Sequence, residues 1–269
     1  MTRNEISEAA GRFVEESPYN YISGEAALSP DCVGMRIYEE PIFAFGTADD
    51  ELYMKFKSGG VIGNHFMSPA EWLPGAKTVI AFFMPYTKII KAANSADYEW
   101  PANLWLHGRY EGQNLIRELL IFMEGFLSRA GFNALAPSAD RRYRTGDDTD
   151  KFTSNWSERH VAYACGLGTF GLSKGIITQK GICGRFGSIL TDLDLPKDSR
   201  NYNDIYEYCT FCGACTGHCP ASAISLDGGK EHLPCSDFLD KVMEKYSPRY
   251  GCGKCQVNVP CESCIPTQG

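Results

Sequence analysis

Nine of the twelve cysteines in this 269-residue chain fall between positions 209 and 264, and four of them share one short stretch, CTFCGACTGHCP at 209–220. The spacing C-x2-C-x2-C-x3-C-P is the run that holds cubane iron–sulfur clusters in two-cluster ferredoxins. Cys209, Cys212 and Cys215 stand on a loop short enough to wrap one cluster. Pro220 bends the chain after Cys219, and in such modules the fourth cysteine ligates the other cluster. Two [4Fe–4S] clusters are therefore expected. Cys235, Cys252, Cys255, Cys261 and Cys264 compete for the ligand places that remain. Structural zinc is the rival reading, because paired C-x2-C motifs also build tetrahedral sites. Three cysteines at successive three-residue spacing, closed by Cys-Pro, favour clusters.

The elements that must position this segment lie before it. Thr2 to Glu5 has the form of a capping box, and Ile6, Ala9, Ala10, Phe13 and Val14 recur on one face, so a helix is predicted to about Glu16. PIFAFG at 41–46 reads as a strand and 49–57 as a helix. AKTVIAFFMPY at 76–86 is dense enough in β-branched and aromatic residues for a central strand buried on both faces. Leu115, Leu119, Phe122, Met123, Phe126 and Leu127 place the longest helix in 103–130, with Gly131 as its stop. Short strands are expected at 133–137 and 188–192, a polar loop at 138–154, and a helix at 156–166. The fold class is thus α+β, a mixed α/β domain over 1–200 and a ferredoxin-like two-cluster domain over 201–269.

Gly166, Gly168 and Gly171 satisfy G-x-G-x-x-G, with Asp192 or Asp194 downstream. The context is the reverse of a dinucleotide site, since a helix precedes and a strand-like 175–178 follows. Hydrophobic content of 43% suits a globular core, and a formal net charge of -7 is the wrong sign for a surface built to neutralise many phosphates. Crowded cysteines point to metal binding in a reducing cytoplasm. No secretory leader or membrane-spanning run is read, and no membrane partner is expected. The five histidines make no spaced metal motif; His218, between cluster cysteines, could tune a potential. Cys32, Cys165 and Cys183 read as buried small hydrophobes, and Trp72, Trp100, Trp105 and Trp156 as core or interface residues. Arg141, Arg142 and Arg144 stand beside Asp140, Asp147, Asp148 and Asp150 in what reads as a solvated loop.

Several stretches together resemble the epoxyqueuosine reductase family and, more distantly, the reductive dehalogenases: LPGAKTVIAFFMPY at 73–86, GRYEGQNLIREL at 108–119, ERHVAYACGLGTFGLSKG with GSILTDLDL over 158–195, and the cysteine run with CGKCQ at 252–256. The resemblance implies a corrinoid reductase, with cobalamin against a cluster and with Gly166, Gly168, Thr169, Phe170 and Gly171 near the corrin. It implies an electron donor such as ferredoxin or flavodoxin and a small-molecule substrate. The alternative is an electron-transfer protein serving a partner such as a corrinoid protein.

Three departures from the family pattern stand out. Phe152 occupies the place of the family's general acid, with Asp148 or Asp150 as substitutes; the chain ends at Gly269 without a C-terminal helical extension; and Val259 replaces the last cysteine of the second run. With the negative charge, the first two make tRNA an unexpected partner. The third assigns Cys261, two residues beyond Val259, to the first cluster with Cys209, Cys212 and Cys215, ahead of Cys264. Cys219, Cys235, Cys252 and Cys255 then hold the second.

Overall fold

The computed structural model describes residues 1–146 and 152–267. Helix α1 (Arg3–Glu16) starts on the expected capping box, with the Glu5 amide donating to Thr2 Oγ1 at 3.3 Å and the Thr2 amide to Glu5 Oε2 at 2.6 Å. Strand β1 (Ile42–Thr47) leads through the short helices α2 (Leu52–Phe56) and α3 (Pro69–Trp72) to β2 (Thr78–Pro85). Helices α4 (Lys88–Ser95) and α5 (Asn103–Arg129) follow, then β3 (Ala134–Leu135), α6 (Glu158–Cys165), the paired strands β4 (Gly168–Phe170) and β5 (Ile176–Thr178), and β6 (Gly184–Thr191). The sheet runs β1-β2-β6-β3 and is antiparallel throughout.

All eight residues of β2 are buried, because helices cover both faces of the sheet. Ile80, Phe82 and Met84 join the core under α1 and α5, whereas Val79, Ala81 and Phe83 join the core under α2, α3 and α6. The period-two alternation of a strand thus feeds two apolar layers at once. Helix α5, 27 residues long, extends roughly 40 Å at 1.5 Å per residue and carries one of those layers. Gly108 and Gly112 let it approach the sheet: a Cβ there would lie 2.9 Å from the Tyr86 ring and 2.6 Å from Tyr38 Oη.

After residue 200 regular structure comes in small pieces: α7 (Ala214–Gly217), the hairpin β7 (Ile224–Ser225) and β8 (Gly229–Lys230), and α8 (His232–Tyr246). Helices α4 and α8 were not anticipated from sequence. In α8, Pro234 and Cys235 break up the apolar spacing, yet a proline in the first helical turn costs no hydrogen bond. Val242 is the single buried residue of α8.

Packing is continuous across residue 200. The Phe170 amide donates to Ile205 O at 2.8 Å, the Tyr208 amide to Thr169 Oγ1 at 2.9 Å, and the Ile182 amide to Cys261 O at 2.9 Å. Among the described residues no helix is long and apolar enough to cross a membrane.

Candidate iron–sulfur and substrate site

Eight cysteines form two rings. Cys209, Cys212, Cys215 and Cys261 line one small cavity together with Ile177, Ile182 and Val259. Cys219, Cys235, Cys252 and Cys255 line another, of about 220 Å³, whose far wall is built from the sheet and α5. Cys264 belongs to neither; it is exposed, its thiol directed to Pro260 O at 3.8 Å. Val259 is buried against Ile177 and Ile182.

Local backbone geometry explains how short segments present so many sulfurs. Gly213 at φ +75° opens α7, which carries Cys215; α8 carries Cys235. Gly251 and Gly253, at φ +127° and +64°, flank Cys252 in a conformation that favours glycine. A Cβ on Gly253 would also lie 1.7 Å from the Trp105 ring, so the loop sits directly on α5. Lys254, fully buried, donates from Nζ to Asn94 O at 2.8 Å and Asp97 O at 2.7 Å, and Asn94 Nδ2 donates to Cys252 O at 2.9 Å.

The donor chemistry fits clusters. Burial, and then the neighbouring sulfurs, push the Cys215, Cys252 and Cys261 thiols up to about 12. Such crowded thiols become thiolates when a metal supplies positive charge. No three His, Cys, Asp or Glu groups among the described residues converge tightly enough for a single ion. Four sulfurs spread around a cavity suit a polynuclear centre better than one tetrahedral zinc.

The glycines expected near a corrin make close contacts within the chain. Gly168, Thr169, Phe170 and Gly171 are buried in and beside the β4–β5 pair. A Cβ at Gly168 would lie 2.0 Å from Ile177 O and one at Gly171 3.2 Å from Ile177 Cδ1, so these glycines admit the chain's own backbone and side chains. Gly166 is the left-handed cap of α6. The cavity beside the second ring is about 220 Å³, and a larger one, of about 520 Å³, is lined by Gly166, Leu167 and Tyr208.

Sequence reading missed the polar wall of the second cavity. Arg109 of α5 and Arg185 of β6 line it beside Tyr86, Trp105 and Tyr250. Arg109 Nη2 donates to Tyr250 Oη at 2.6 Å, and Arg185 Nη2 donates to Gln113 Oε1. Arg109 lies inside GRYEG, a stretch visible in the sequence, but only the fold brings it opposite Arg185.

Most of the other candidates have neighbours within the chain. Phe152 stacks on His232 at 5.0 Å, and Asp148 and Asp150 lie outside the described residues. His218 Nδ1 stands 3.2 Å from Val257 O. Cys32, Cys165 and Cys183 are buried, and Trp156 is a core residue stacked on Phe66. Arg142 pairs with Asp140 and covers Trp72. Glu158 is held by a hydrogen bond from Ser188 Oγ to Oε2 at 2.5 Å; its Oε1 is buried without a partner, and burial pushes its pKa up to about 7.

A 4Fe–4S binding domain family matches residues 202–225. Epoxyqueuosine reductase of Bacillus cereus is 26% identical over 206 residues, covering 72% of this chain and 50% of that one. Tetrachloroethene reductive dehalogenase of Desulfitobacterium hafniense is 32% identical over 112 residues, 39% of this chain and 20% of that one. The chain spans half the length of the first relative and less of the second. A solved epoxyqueuosine reductase in complex with a tRNA stem loop superposes with a TM-score of 0.53 at 19% identity, covering 96% of this chain and 66% of that one. A catabolic reductive dehalogenase gives 0.53 at 13% identity, covering 85% and 30%. The sequence match, the cysteine segment and the shared fold agree: the chain is similar to epoxyqueuosine reductase over 72% of its length, carries a segment that matches a 4Fe–4S binding domain, and has a fold found in solved epoxyqueuosine reductases and reductive dehalogenases.

Proposed function

We propose that this chain is an iron–sulfur reductase that takes electrons from a ferredoxin- or flavodoxin-type donor and delivers them to a small organic molecule in the cavity beside Cys219, Cys235, Cys252 and Cys255. The observation that carries the reading is the asymmetry of the two rings. The first has exposed Cys212 next to exposed Phe211, where a donor can approach; the second is turned inward against Arg109, Arg185, Tyr86 and Trp105. When bound, two [4Fe–4S] clusters would supply one-electron transfer between surface and cavity. The chain's own groups hold the thiolates at fixed places, exclude water and orient the substrate.

A small substrate suits this chain better than tRNA. Net charge of -7 opposes the phosphate neutralisation on which nucleic-acid affinity depends, and the cavity of about 220 Å³ is narrow. Protein prepared anaerobically is expected to carry about eight irons and about eight acid-labile sulfides, as two cubanes require. Stoichiometric zinc without sulfide would defeat the reading. In a filter-binding assay at near-physiological salt, weak tRNA binding is expected; tight binding would move the substrate assignment to tRNA.

A further inference from the structure

Among the described residues, the second cavity presents two guanidiniums and no carboxylate in its lining. Arg109 and Arg185 line it from α5 and β6, and neither forms an ion pair among the described residues. Arg159 of α6 is close enough to be affected by Arg185, and it donates to a carbonyl, Lys174 O, at 2.6 Å. The neighbouring carboxyl, Glu158, is hydrogen-bonded by Ser188, and burial raises its pKa. Burial and the facing guanidinium of Arg185 lower the pKa of Arg109. Two half-buried guanidiniums lining one cavity repel each other unless an anion joins them. Lys230, beside Cys235 and Cys255, is placed to offset thiolate charge, whereas Arg109 is influenced by Arg185, Tyr250, Tyr86 and Tyr38. The remaining wall is aromatic: Tyr86, Trp105 and Tyr250.

We propose that Arg109 and Arg185 form a subsite for the carboxylate of a small planar organic anion whose ring lies against Tyr86, Trp105 and Tyr250. This deepens the reductase reading and rests on it. Guanidinium groups suit carboxylates through paired hydrogen bonds, and a flat ring suits a wall of aromatic faces.

The test uses the full chain, reconstituted anaerobically, with iron content measured first. Benzoate, benzamide and inorganic phosphate are titrated by calorimetry. Benzoate is expected to bind at least tenfold more tightly than benzamide, its neutral isostere. Arg185→Gln and Arg109→Gln should each weaken benzoate about ten- to a hundredfold, in keeping with one charge-assisted contact, and Arg185→Lys should recover part of the loss. Arg185→Gln covers the case in which Arg109→Gln disturbs the Gly251 turn that packs on it. Phosphate that binds as tightly as benzoate and displaces it would overturn the carboxylate assignment. Unchanged benzoate affinity in iron-loaded variants, with only the cluster's electron paramagnetic resonance altered, would overturn the subsite. Failure to load iron would instead count against the reductase reading.

Discussion

The two halves of the chain are held together by different means. Residues before 200 build two apolar layers around a four-stranded sheet, and side chains as large as Trp72, Trp156, Phe82 and Tyr86 are fully buried there. Residues from 205 onward contribute a few small buried apolar groups, among them Ala223, Ile224, Val242, Val257 and Val259. A segment with so little core draws its order from ligands and from its neighbour. The contrast separates a scaffold that stands on burial from a reactive segment that stands on metal.

Three measurements would break or sharpen this contrast. The largest effect is expected from iron removal. In hydrogen exchange, residues 205–267 should lose protection after chelation while β2 and β6 keep theirs; equal loss in both halves would remove the distinction. Next is the ring assignment. Cys261→Ser should lose about half the iron, since serine oxygen is a poor substitute for a soft thiolate, whereas exposed Cys264→Ser should keep all of it. The reverse pattern would assign Cys264 to the first ring. The smallest effect lies in the scaffold. Glu158 has its folded pKa raised from 4.5 to about 7, so its neutral form favours the fold below pH 4.5, and that contribution is lost as pH rises through 7. The loss is on the order of 3 kcal/mol. Glu158→Gln should flatten the unfolding free energy between those pH values, and an unchanged slope would show that the carboxyl does not titrate there.

Local patterns carried much of the fold. The capping box at Thr2 and Glu5, the unbroken apolar run of β2 and the apolar stripe of α5 each depend on neighbours in sequence, and each was legible. The strand partners were not, because the apolar run of β2 suits a parallel or an antiparallel sheet equally when helices cover both faces. Helix α8 was hidden by Pro234 and by a surface that buries only Val242. In the site, the 209–220 run announced iron–sulfur chemistry on its own. The glycines at 166, 168 and 171 were ambiguous in the sequence, since a glycine required by a helix cap or a close β4–β5 approach reads the same as one required by a flat ligand. Arg109 and Arg185 are 76 positions apart by their numbers, and no local signal joins them.

Lys254 has a consequence for the sequence of events in folding. Its ammonium reaches the carbonyls of Asn94 and Asp97, which mark the turn between α4 and α5, and those acceptors stand in place only once both helices have formed. Gly253 against Trp105 imposes the same requirement sterically. Cys252 and Cys255 are therefore delivered to the second ring by a docking event on a finished surface, while Cys209, Cys212 and Cys215 share a loop and need no such surface. Assembly is expected to proceed in that order in time: scaffold, C-terminal docking, and closure of the inward ring last.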